Sequence, residues 1–120
     1  MGVFVDKNSE IKVTIFSGKN KDGIGIASST KEDIEAIEDQ FDCIFSRPNY
    51  KNNVDLFSNA TSSKDGQFTV DFPTLRYLRV VQLIKSWTLK DVRVSVEAID
   101  GLRPEVGEAL QLRLEVALAK

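Results

Sequence analysis

The densest set of side chains able to do chemistry lies in residues 31–42, KEDIEAIEDQFD. Paired carboxylates can act as general acid and base, or hold a divalent cation. An enzyme built on carboxylates alone would draw on Asp33, Glu35 or Asp42. The segment lacks the alternating Asp/Asn ligands and central glycine of a calcium loop, so a solvated acidic face is the plainer expectation. The chain has no histidine and one cysteine. That removes Ser-His-Asp and Cys-His catalysis, and zinc sites with them. Cys43 stands among apolar neighbours in QFDCIFS and reads as a buried, inert thiol with no disulfide partner. SGKNKDGIG contains Gly and Lys but lacks the Walker spacing, so Asp22-Gly23 reads as a hairpin turn.

Two basic clusters remain. Arg47, Tyr50 and Lys51 can stack on and grip a nucleic acid strand, or simply mark a strand-to-helix turn. Arg76, Arg79 and Lys85 form a stripe at helical spacing, either solvated or set against an acidic partner. The net charge of −2 gives no electrostatic case for nucleic acid or an anionic membrane. No apolar run approaches 18 residues, and MGVFVD places Asp6 where an acylation signal needs Ser or Thr. The residues therefore point to no catalytic group, no metal site and no cofactor, and to a cytoplasmic protein.

With 120 residues, 42% hydrophobic and 28% charged, one α+β domain over 1–120 is expected. Its β-rich part spans 1–60 and its helical part 67–120, with the loop TSSKDG at 61–66 between them. Ile11, Val13 and Ile15 alternate as in a strand, and a second strand returns from Ile24. Ser29 and Glu32 suggest a capping box opening a helix at 31–38. QFDCIFS alternates as a strand that Pro48 ends. Asn49 then caps a short helix with Val54, Leu56 and Phe57 inward. The sheet strands fall within 11–46 and form a small antiparallel sheet.

In the C-terminal half, Asp71 and Pro73 open a helix expected to run over 72–87. Its apolar face carries Leu75, Leu78, Val81, Ile84 and Trp87, widened by Tyr77 and Val80, with Arg76, Arg79, Gln82 and Lys85 opposite. Trp87 is either core or an interface anchor. Ser95 caps a short helix that Gly101 closes, and Pro104 opens the last one. LQLRLEVAL alternates like a strand, yet its residues are helix formers and follow a well-made helix start, so helix over 104–118 is favoured. Leu78, Val81, Ile84, Trp87, Leu102, Val106 and Leu110 are the expected centre of the helical half. Leu112 and Val116 then fall outside the Val106–Leu110–Leu114 face, as an apolar patch for a partner or a second copy.

The punctuation of IKSWTLKDVRVSVEAIDGLRPEVGEAL resembles the C-terminal signature of tail assembly chaperones of long-tailed bacteriophages. Trp87, Leu89, Val94, Ser95, Ile99, Leu102, Pro104, Glu105, Val106, Ala109 and Leu110 occupy the family's places. Arg47 and Pro48 in FDCIFSRPNYKNN match its strand, Arg-Pro and polar helix start. The likeness covers 41–53 and 72–110, and lacks the Asp-Gly step the family carries between Trp-x-Leu and Val. It implies a non-enzymatic protein of the host cytoplasm that binds tape measure protein, tail tube protein or both during virion morphogenesis, and that is absent from the mature virion. The partner-binding residues would be Arg76, Arg79, Trp87, Leu112 and Val116, in a homo-oligomer. The other expectation is a structural virion protein, a minor tail or head–tail connector subunit.

Overall fold

A computed structural model describes residues 2–6 and 8–119. Met1 and Lys120, the ends of the expected domain, lie outside the described residues. Strand β1 (Glu10–Lys19) buries Ile11, Val13 and Ile15 on one face, as its period of two requires. A turn at 20–24 leads into β2 (Gly25–Ser28). There Asn20 Oδ1 accepts from the backbone of Asp22 and Ile24, and Gly23 takes φ +76°.

The helix expected at 31–38 is absent. One 3-10 turn (Lys31–Asp33) crosses from β2 to β3 (Ala36–Ser46), and Ser29 does not cap it. No side chain caps the turn; Ser28 instead braces it, donating to Asp33 Oδ2 at 2.8 Å and accepting from the Thr30 N–H at 3.1 Å. Ala36 and Ile37 pair instead with Lys19 and Gly18 of β1. A long strand in want of a partner outweighs the weak helical preference of β-branched isoleucine.

Helix α1 (Tyr50–Ala60) has the expected cap, completed by Asn52 as a reciprocal partner of Asn49. Leu56 and Ala60 are buried, but Val54 and Phe57 are exposed. The three apolar residues cannot share one narrow face, and Leu56 with Ala60, four apart, is the pair that packs on the next helix.

The loop expected at 61–66 is a hairpin. Strands β4 (Thr61–Lys64) and β5 (Gln67–Val70) pair through Asp65 and Gly66, at φ 54° and 78°. Positive φ at both central residues is what a two-residue hairpin requires, and Asp-Gly supplies it.

Helix α2 (Phe72–Leu83) starts as expected, with Asp71 accepting from the Thr74 N–H. It ends four residues early. Ile84 turns to ψ 132°, and β6 (Ile84–Trp87) pairs with β3. The completed sheet is antiparallel, in the order β2-β1-β3-β6. The early stop also changes the buried face to Leu75, Val80 and Leu83. Lys85, displaced from a helix terminus, reaches Glu10 Oε1 at 2.7 Å across the sheet end.

Ser95 caps α3 (Val96–Asp100), and α4 (Pro104–Leu118) is helical throughout. Gly101 sits at the C-cap of α3 with φ −83°, so the left-handed turn typical of such glycines is not used. Val106, Leu110 and Leu114 of α4 lie over the inner sheet face of Ile11, Val13, Ile15, Phe41, Cys43 and Phe45, joined by Val80 and Leu83. Of the expected centre, Val106 and Leu110 are buried; Leu78, Val81, Ile84, Trp87 and Leu102 are only half-buried. The main core is sheet against helix, and only the smaller cluster of Leu56, Ala60 and Leu75 is helix against helix.

Candidate protein-binding surface

Helix α4 organises this surface because its buried stripe repeats every four residues. Leu112 and Val116 stand on the opposite side of the cylinder, 59% and 38% exposed. Arg76 and Leu112 line one groove between α2 and α4, together with Pro73, Gln111 and Glu115. Val116 lines a second groove, between α4 and β1. The two leucine and valine side chains thus form a ridge with a furrow on each side.

Beside the first groove is a cavity of about 340 Å³. Its walls come from α2 (Tyr77, Val80), from α3 and the step after it (Ile99, Leu102), and from α4 (Gly107, Leu110). At its rim the Tyr77 hydroxyl donates to Asp100 Oδ1 at 2.6 Å, which ties α2 to α3. That bond, more than partial burial or the carboxylate's charge, raises the phenol above its ordinary pKa. Gly107 borders this open space, and a Cβ there would meet nothing within 4 Å. No family model, curated protein or solved structure matches this chain.

The five residues expected to bind a partner separate in space. Arg76 and Arg79 are not a free stripe: both approach Glu115 Oε1 of α4, at 3.4 and 3.9 Å. Gln82, on the same line, donates to the Asn52 carbonyl at 2.8 Å. The expected solvated face is therefore spent on holding α2 to α1 and α4. Trp87 lies on β6, where its Nε1–H donates to the Val92 carbonyl at 2.7 Å and its ring meets Phe41 edge-on. It belongs to the sheet end, away from Leu112. The residues that sequence reasoning missed are Tyr77, Ile99, Asp100 and Gly107. A glycine inside a helix, at a position with no capping duty, was the signal for the last of them.

Among the described residues, no three acidic, cysteine or histidine side chains stand close enough to hold a metal ion. Asp42 is drawn into the sheet, where it accepts from the Thr14 hydroxyl at 2.6 Å and faces Lys12 at 3.5 Å. The threonine bond leads in holding its carboxyl below the usual range, with burial opposing and Lys12 assisting. No helix among the described residues is long and apolar enough to cross a membrane.

Cys43, fully buried in the centre of the sheet, is pushed from an ordinary 9.0 to about 12 by desolvation. The native thiol should not react with a disulfide reagent at neutral pH, and should react fully once the chain is unfolded. The stability this group contributes is complete below pH 9, where the unfolded thiol keeps its proton too. It declines as pH rises toward 12, because the unfolded state ionises first. Urea titrations across that range, compared with those of Cys43→Ala, read the difference.

Proposed function

We propose that this chain is a non-catalytic assembly chaperone that holds an apolar helical segment of a client, with tape measure protein or tail tube protein of a long-tailed phage as the client. Its place of work would be the host cytoplasm during virion morphogenesis, and it would not be retained in the finished particle. The supporting observation is the apolar cavity between α2, α3 and α4, next to the exposed Leu112 ridge. A helix laid along that groove can place one apolar side chain in the cavity and others against Leu112. Arg76 and Glu115 then lie at the polar rim, where they tune on-rate and salt dependence more than affinity. The phage assignment rests on the punctuation of residues 41–53 and 72–110.

Gly107→Leu is the decisive variant. It fills the cavity from an open position and replaces a helix-interior glycine, so stability should hold or rise by up to about 1 kcal/mol. Capture of the tape measure protein on co-expression should fall at least tenfold, as should capture by Leu112→Asp. Undiminished capture by Gly107→Leu would remove the cavity from the reading. Finding the chain in stoichiometric amounts in mature particles would replace it with a structural virion role.

A further inference from the structure

The second groove is built differently from the first. Strand β1 pairs with β3 along its whole length, but with β2 only from Phe16 to Lys19. The outer edge of residues 10–15 therefore has no strand beside it, and no other backbone hydrogen bond reaches those residues from elsewhere in the described chain. An unpaired edge of six residues is a template for a further strand. It is also the floor of a groove of about 440 Å³, whose far wall is Val116, Ala117 and Arg113 of α4 and whose end is Arg47. Among the described residues, neither Arg47 nor Arg113 has a carboxylate within 4 Å. The groove thus asks for an extended, partly apolar segment that carries an acid, although the chain as a whole is acidic.

Among the described residues, one segment has that chemistry and packs against nothing else. Residues 2–6, GVFVD, are β-branched and aromatic, with Val3 96% and Phe4 90% exposed. In an extended strand Phe4 and Asp6 share a side, about 7 Å apart. Within one molecule this arm leaves the edge at once. Ser9 N–H donates to the Asp6 carbonyl at 3.0 Å and Asn8 N–H to the Asp6 carboxylate at 2.8 Å, closing a turn just before β1. We infer that the arm of residues 2–6 adds as a strand to the β1 edge of a second copy, with Phe4 on Val116 and Ala117 and with Asp6 at Arg47 and Arg113. Exchange in both directions gives a closed two-fold dimer, which leaves neither edge open. It stands independently of the client reading, since the cavity of Gly107 lies on the other flank of α4.

The test is sedimentation of the full chain at micromolar concentration. A dimer is expected, and Val3→Asp with Phe4→Asp should make it a monomer; both residues are exposed in the single chain, so folding is unaffected. Arg113→Glu should weaken the dimer about tenfold, and adding Asp6→Lys should restore it. Leu112→Glu and Gly107→Leu should leave it intact. A full chain that stays monomeric overturns the proposal. So does a dimer that survives the arm substitutions, or one that Leu112→Glu abolishes, since the copies would then meet across the outer ridge.

Discussion

Gly18→Ala is expected to lower stability by at least about 3 kcal/mol, far more than adding one methyl group to a glycine normally does. Gly18 is buried in β1 at the bulge where the register with β3 shifts. A Cβ there would fall directly on the backbone carbonyl of Ala36, with the Ile34 side chain 2.9 Å away. Backbone cannot rotate aside as a flexible side chain can, so the upper part of the β1–β3 pairing must open. The matched control is Gly107→Ala, where the new methyl meets nothing and helix propensity improves stability by up to about 1 kcal/mol. Urea denaturation of the two variants should move the midpoint in opposite directions. A Gly18→Ala protein as stable as the parent would mean that Ala36 does not lie against Gly18 as the β1–β3 register places it.

Trp87→Ala should lower stability by about 3 kcal/mol, at the lower end of large aromatic truncations because the ring is half-buried. Two separable parts make up that figure. The ring packs edge to face on Phe41 with centroids 6.5 Å apart, and its N–H holds the Val92 carbonyl. Trp87→Phe keeps most of the packing and loses the hydrogen bond, so it should cost about 1 kcal/mol. Because Trp87 opposes Cys43 in the sheet, its truncation should also bring the Cys43 thiol within reach of reagents under native conditions. A loss well under about 1 kcal/mol for Trp87→Ala would place the ring at an interface rather than in the sheet.

Local chemistry was readable wherever one residue type determines one local geometry. The alternation of Ile11, Val13 and Ile15, the caps at Asn49, Asp71 and Ser95, and the proline start at Pro104 all appear where the sequence places them. The helical form of residues 110–118, and with it the exposure of Leu112 and Val116, follows from propensity overruling a strand-like alternation. Strand β6 was hidden because Ile84 to Trp87 continue a helical pattern with no glycine or proline to interrupt it. Only the vacant edge of β3, forty residues away, makes them extended. The hairpin at 61–70 was hidden differently: its strands are short, polar and exposed, so they carry no hydrophobic alternation to read. The cavity was out of reach altogether, since three helices meet to form it and no single stretch encodes it.

The inner sheet face, which α4 covers, has a consequence for how the protein is made. Ile11, Val13, Ile15, Phe41, Cys43 and Phe45 are synthesised well before the helix that covers them, which begins at Pro104. At about 5–20 residues per second, the intervening chain takes several seconds to appear. During that interval a greasy sheet with one long vacant edge is open to solvent. A protein that shields others in our reading would thus itself need shielding at birth, and any ribosome stalled before residue 104 would release an aggregation-prone fragment.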